Sequence, residues 1–375
     1  MEPFKNAYNP EMVADMARHL AGAGPFDEAR FTKLACEGLE ALELKARSRH
    51  ISAALDACLP DDFAAACVQM VAALGPETET EGWEQSGPSE GIRGWAMLPM
   101  GEVIQKRGAG EYDLAMETLA AFTSRFSSEF DVRPFLDADL ERGLIHLHRW
   151  AEAPNPHLRR LASEGCRPRL PWGMQLKGLI TDPAPILPLL ERLRDDPSEY
   201  VRRSVANNLN DIAKDHPDLV AGIAVDWLDD ASKDRTRLVR HACRTLIKAG
   251  HPGALAAFGY GPPKLDVSFS VTPEVAHMGE DVTLSATLRS RSKTTQSLVV
   301  DYAVNFMRAN GKPSPKVFKW TQATLEPGAE ITLSKLHKLR EVTTRKHYPG
   351  AHGVVLQVNG QALATGGFTL SLNNA

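Results

Sequence analysis

The chain has 375 residues, 43% hydrophobic and 24% charged, which suits a folded protein of two or three domains with substantial cores. No apolar run approaches the roughly 18–20 residues a helical membrane span needs. The N-terminal MEPFKNAYNPEMVADM lacks the basic and apolar regions of a secretion signal, so the cytoplasm is the expected compartment. Net charge is −4 but uneven: Lys+Arg against Asp+Glu is 14 to 25 over residues 1–150, 16 to 14 over 151–261 and 13 to 8 over 262–375. The later segments are therefore free to meet an anionic partner.

From residue 10 to 74, apolar residues recur at three- and four-residue spacing in PEMVADMARHL, FDEARFTKLACEGLEALELKARSRHISAALDACL and DDFAAACVQMVAALG, which predicts helices broken by short turns. The stretch from Pro76 to Gly91 is rich in Gly, Pro, Ser and Glu and reads as an exposed loop. Helical periodicity resumes near Gly94 and continues to RTRLVRHACRTLIKAG. Equivalent helix starts at Leu158, Val201 and Leu238 lie 43 and 37 residues apart, the spacing of HEAT-like helix pairs that stack into a solenoid.

Three of these helices carry a polar row. Positions four apart share a helix face, so Arg160 lies beside Glu164, Arg203 is in a row with Asn207 and Asp211, and Arg240 precedes Arg244. Equivalent rows on stacked repeats would share one concave surface. Spacing alone leaves a second reading open, in which each acid simply pairs with an arginine of its own helix.

At GYGPP (Gly259–Pro263) the pattern changes. LDVSFSVT, VTLSATL, SLVVDYAVNFM, EITLSKL, GVVLQV and GGFTLSL are short β-branched runs, and Asn359-Gly360 is a hairpin signal. About seven strands in this length predict an immunoglobulin-like sandwich over 262–375, after an all-α helical-repeat domain over 1–261. Lys335, His337, Lys338, Arg340, Arg345, Lys346 and His347 cluster in one strand-to-loop segment, either as a phosphate-contacting edge or as a solvated surface.

Other features are expected to be inert. Cys36, Cys58, Cys67, Cys166 and Cys243 have no close pairing, against a zinc site or a disulfide framework. His146 and His148 point to different helix faces, and His241 reads equally as phosphate contact or packing residue. The GAG near Gly108 lacks a strand-turn-helix context, so no metal or nucleotide cofactor is expected.

The segments EFDVRPFL (Glu129–Leu136), SEGCRPRLPWG (Ser163–Gly173) and SVANNLNDIAKDHP (Ser204–Pro217), in that order, resemble the bacterial DNA alkylation-repair glycosylases of the AlkC type. The resemblance spans about residues 5–260, and the appended β-rich domain is a further mark of that branch. It implies a monofunctional glycosylase, working as a monomer on duplex DNA, that releases cationic alkylated purines such as 3-methyladenine. It also implies that Glu129 and Glu164 lie in the active-site groove; Asp211, on the row with Asn207, reads as a third acid or as a helix-surface residue of the run ending NDIAKD. Trp172 is implied to stack on the lesion or its sugar, against a reading in which it caps the gap between repeats. Asn207 stands where the related AlkD type has a tryptophan.

The chemistry fits such residues. A purine alkylated at N3 or N7 is cationic and leaves as a neutral base, so carboxylates are wanted to stabilise the developing sugar cation and align a water. Arg160, Arg167, Arg169, Arg203, Arg240 and Arg244, with Lys335, Lys338 and Arg340 of the sandwich, are the expected phosphate contacts. The alternative is a non-catalytic helical-repeat scaffold that binds undamaged DNA or a protein.

Overall fold

The computed structural model describes residues 4–77, 90–341 and 346–372. A helical N-terminal region leads into a β-sheet C-terminal domain. Most of the predicted loop between Pro76 and Gly91 lies outside the described residues, as does Arg345 of the basic cluster. No helix among the described residues is long and apolar enough to cross a membrane.

Packing divides the chain into two compact units: Met1–Asp215 with Ala231–Ala242, and His216–Asp230 with Cys243–Ala375. The change from helix to strand near residue 261 is thus a change of secondary structure inside the second unit. The helices Arg244–Ala249 and Pro252–Ala257 pack in the same unit as the sheets.

In the first unit, the helices that carry the polar rows are Pro156–Gly165, Glu199–Ile212 and Lys233–Ala242, and they pack side by side in that order. Their starts follow local chemistry. Asn155 caps the first by accepting from His157 N at 2.9 Å, with Pro156 in the opening turn; Ser198 caps the second by accepting from Val201 N at 3.3 Å. Val201, Val205, Leu209 and Ile212 form the buried stripe of the second helix.

One expected helix is two. Lys233–Ala242 stops at Ala242, and Arg244–Ala249 begins beyond Cys243, so Arg240 and Arg244 do not share a helix face. They also fall in different packing units.

Among the described residues the β domain has eight strands: β1 Leu265–Thr272, β2 Val275–His277, β3 Asp281–Ser290, β4 Gln296–Met307, β5 Pro313–Leu325, β6 Glu330–Lys338, β7 Gly350–Val358 and β8 Gln361–Ser371. They form a sheet of order β1-β3-β6 and a second of order β2-β8-β7-β4-β5. Val282, Leu284, Ala286 and Leu288 on one sheet and Val300, Tyr302, Val304 and Phe306 on the other belong to one core. Strict alternation along β3 leaves Thr283, Ser285 and Thr287 on the other face.

Two strands escaped the sequence reading. β2 is three residues long, and β5 carries Pro313 and Pro315, which a strand tolerates here because β5 is a sheet edge and need not donate outward.

The Asn359-Gly360 turn between β7 and β8 has φ of 46° and 74°. Asn359 Nδ2 donates to Gly261 O at 2.7 Å and to Ser297 O at 3.0 Å. Gly360 lies backbone-to-backbone on Gly250, the left-handed C-cap of helix Arg244–Ala249; a Cβ on Gly360 would come within 2.4 Å of Gly250 Cα.

Candidate active site

The three predicted acids come together in the first unit through arginines. Arg160, on helix Pro156–Gly165, donates to both oxygens of Glu129 at 3.3 and 3.4 Å and to Ser127 Oγ at 3.0 Å. It also lies 3.6 Å from Glu164, the expected neighbour one turn on, and its guanidinium stacks over the Tyr200 ring at 5.0 Å. Arg167, just past the helix, donates Nη1 to Glu164 Oε1 at 2.7 Å and Nε to Asp211 Oδ2 at 2.8 Å. Lys214 Nζ closes the chain on Asp211 Oδ1 at 2.8 Å.

The result is an alternating series, Glu129–Arg160–Glu164–Arg167–Asp211–Lys214, in which every carboxylate has a cation. Three acids balance three bases. Asp211, the most enclosed, is 1% exposed. Burial opposes the charge on Glu164, but Arg160, Arg167 and a 2.7 Å hydrogen bond from Ser204 more than offset it and hold the carboxyl below its usual range. Ser163 donates to Ser204 at 2.6 Å, and Asn208 Nδ2 donates to Ser163 O at 2.8 Å, so a buried relay orients Glu164 from behind.

Glu129 differs from the other two acids because it lines a cleft of about 760 Å³. Trp95, Phe126, Phe130 and Trp172 supply aromatic lining, and Lys45, Arg49, Glu102 and Asp131 are further walls. Trp95 and Phe126 have ring centroids 5.5 Å apart. Glu164 and Asp211 stand behind Glu129, linked to it through Arg160 and Arg167.

Asp131, two residues after Glu129, is an acid the sequence reading did not single out. It is fully enclosed, its carboxyl sits where a Cβ on Gly101 would stand, and Gln105 Nε2 donates to it at 2.5 Å. Burial first, then the nearby Glu102 and Glu129, push its pKa well above the carboxylate range. Burial likewise raises Glu102, despite a 2.8 Å hydrogen bond from Ser48. The cleft thus sets Glu129, paired with Arg160, beside two carboxyls that hold protons more tightly than usual.

The predicted phosphate contacts separate into groups. Arg160 and Arg167 are enclosed and occupied with the acids, so their geometry is that of residues holding carboxylates rather than meeting a phosphate. Arg169 is partly exposed and paired with both oxygens of Asp215 at 2.7 and 2.8 Å. Arg203 and Arg240 are exposed. Arg203 does not reach Asp211, because the row descends from solvent at 203 to full burial at 211; Asn207 between them meets His241 Nε2 at 3.0 Å. Arg244 is exposed in the other unit.

In the β domain, Lys335 shares the inward parity of Ile331, Leu333 and His337, whereas Lys338 is exposed on the opposite side. Arg340 is exposed and ion-paired with Asp281 at 3.2 Å. Lys335 and Lys338 therefore do not share one face. His337 is instead buried against Tyr302, 3.1 Å from its hydroxyl.

Trp172 is 71% exposed and has φ 67°, a left-handed backbone that costs an L-residue about 1–2 kcal/mol. The loop that carries it is tied down. Arg133, wholly buried, donates Nε to Met174 O at 2.5 Å and Nη1 to Gly165 O at 2.9 Å, and Lys45 Nζ donates to Trp172 O at 3.0 Å. Burial pushes the Arg133 guanidinium down to about 10, still charged at neutral pH. Arg133 was visible inside the EFDVRPFL run; Lys45, 127 residues from Trp172, left no trace in spacing.

Among the described residues no His, Cys, Asp or Glu cluster could hold a metal ion, and the five cysteines are free. His146 is engaged with Asp113 at 2.9 Å and Glu117 at 3.2 Å.

Residues 266–372 match the family described as the C-terminal Ig-like domain of the uncharacterised protein YhaZ. The whole chain is 34% identical over 365 residues to the uncharacterized protein YhaZ of Bacillus subtilis (strain 168), covering 96% of this chain and 97% of that one. It is 35% identical to the alkylpurine DNA glycosylase AlkC of Pseudomonas fluorescens, solved bound to DNA containing an abasic site analog; the superposition has a TM-score of 0.85 and covers 99% of this chain and all of the other. A helical-repeat region joined to an Ig-like domain, matched over its full length at this identity, places the chain in the AlkC family of bacterial proteins, to which it belongs together with YhaZ.

Proposed function

We propose that this protein is a monofunctional DNA glycosylase that hydrolyses the N-glycosidic bond of cationic alkylated purines, 3-methyladenine among them, in duplex DNA. The observation that carries the reading is the ion-paired series of three carboxylates with Glu129 at the wall of an aromatic cleft. The resemblance to AlkC, a DNA-bound alkylpurine glycosylase, supports the same reading.

In this scheme the bond between the sugar C1′ and the alkylated base breaks with its electron pair going to the base, which leaves neutral. Positive charge builds on the sugar, and Glu129, with Glu164 and Asp211 behind it, stabilises that charge electrostatically. Glu129 accepts a proton from the water whose oxygen bonds to C1′, leaving an abasic site. No proton need be delivered to the leaving group.

Trp172 and Asn207 are the proposed contacts for the lesion or its sugar. Arg203 and Arg240 are the proposed phosphate contacts in the first unit, and Lys338 with Arg340 those of the sandwich over 262–375. The protein would act as a monomer, on nucleoid DNA in the bacterial cytoplasm, without a cofactor.

Release of free base from methylated duplex DNA tests this directly. Glu129→Gln and Glu164→Gln should each abolish most of it while binding to abasic-site DNA is kept or strengthened, because a negative charge leaves a phosphate-facing groove. Tight DNA binding with no base release from the unaltered protein would favour a non-catalytic scaffold.

A further inference from the structure

We infer that Arg133 and Lys45 are positioning residues whose shared task is to hold Trp172 at the cleft beside Glu129. The inference deepens the proposed function and rests on it for its kinetic arm.

A tryptophan at φ 67° is an uncommon conformation for a bulky residue, and such conformations persist only where the surroundings over-determine them. The indole does not supply that determination, since most of its surface is open. The backbone does. Gly173 N bonds to Leu170 O at 3.2 Å and Leu176 N to Pro168 O at 3.1 Å, which folds the loop on itself. Arg133 then grips the two carbonyls that bracket it, Gly165 O and Met174 O, and Lys45 takes the carbonyl of Trp172 itself.

Arg133 is unusual in its own right. It is fully buried, its hydrogen bonds go to carbonyls rather than to a carboxylate, and its Nη2 has no hydrogen-bond partner. Burying a cation on these terms is unfavourable, and stability alone would be served as well by an apolar residue of similar shape. What the guanidinium supplies is a forked donor that can reach both ends of one loop. Lys45 reaches the same loop from helix Leu44–Asp56, a different part of the chain. Two independent donors thus fix one exposed ring, a flat platform set in place before any ligand arrives.

The test is a double-mutant cycle in the full chain. Lys45→Met removes an exposed contact without burying anything new; Arg133→Lys keeps the charge but cannot reach both carbonyls. Each should lower the single-turnover rate of base release by about ten- to a hundredfold, the scale expected when a positioned group shifts by about 1 Å. In a Trp172→Ala background neither should lower it further. Losses of equal size with and without Trp172 would overturn the inference.

A second readout does not depend on activity. Trp172 emission, taken as the difference between each protein and its Trp172→Phe counterpart, should lose anisotropy in Lys45→Met while the thermal unfolding midpoint stays put. Unchanged anisotropy in both variants overturns the clamp even if catalysis falls. If the unaltered protein releases no base, the glycosylase reading fails and the anisotropy arm still decides this one.

Discussion

Arg167 Nε meets Asp211 Oδ2 at 2.8 Å, joining the loop after helix Pro156–Gly165 to the end of helix Glu199–Ile212 where both side chains are buried. The same guanidinium holds Glu164, so one residue neutralises two enclosed carboxylates. Arg167→Met should therefore destabilise the protein by about 3 kcal/mol, the low end for a broken buried pair because Lys214 and Arg160 remain. The variant's stability should also become less sensitive to acid, because Arg167 is one of the charges that hold Glu164 down. Glu164 has its folded-state pKa held down, so the stability it contributes is present above the unfolded value near 4.3 and is lost as pH falls through the folded one. Thermal unfolding of the two proteins between pH 3 and 7 checks both points.

Arg203 and Arg160 should behave differently although both were expected to meet phosphate. Arg203 is exposed, so Arg203→Ala should weaken binding to every DNA sequence alike and flatten the salt dependence by about one unit of slope. Arg160 is committed to Glu129 and Glu164, and Arg160→Ala should lower the rate of base release with little change in slope. Titrations at several salt concentrations, beside single-turnover rates, separate the two.

Asp131 gives a pH effect of the opposite sign. Its folded-state pKa is raised, so the native state holds the proton more tightly than the unfolded chain does, and ionisation works against folding as pH rises above the unfolded value near 3.9. Asp131→Asn keeps the shape against Gly101 and removes the ionisation. The unfolding midpoint should rise at pH 8, by about 2–4 °C for each kcal/mol recovered, and hardly move at pH 4. A uniform change across pH would mean that Asp131 is ionised in the folded protein.

Lys335 and Lys338 should also part company. Lys338→Glu changes an exposed charge and should weaken duplex binding without altering stability; Lys335→Glu places a carboxylate on the inward-facing side of β6, next to Leu333 and His337, and should lower the unfolding midpoint instead. Equal loss of affinity from both, at unchanged stability, would restore the picture of a single basic edge.

Much of the architecture was legible because it follows local periodicity. The period of two in VTLSATL becomes β3, and the caps at Asn155 and Ser198 open the helices that spacing predicted. The Arg160–Glu164 neighbour pair was legible for the same reason, being one helical turn. What was not legible is pairing across elements. Arg160 with Glu129 and Arg167 with Asp211 are 31 and 44 residues apart, and only the stacking of whole helices sets their distance. The break at Cys243 was equally silent, since neither glycine nor proline marks it, and β5 was hidden by prolines that only an edge position excuses.

The abutment of Gly250 on Gly360 has a consequence for engineering. Neither backbone can accept a side chain there, so the helix cap and the hairpin turn must be matched to each other within a few tenths of an ångström. A chimera that grafts a foreign sandwich after residue 261 would leave Gly250 facing a surface it never evolved with, and would strand the Asn359 bond to Gly261. The compact unit that holds the sheets takes in His216–Asp230 as well as everything from Cys243, so those helices must travel with the sheets.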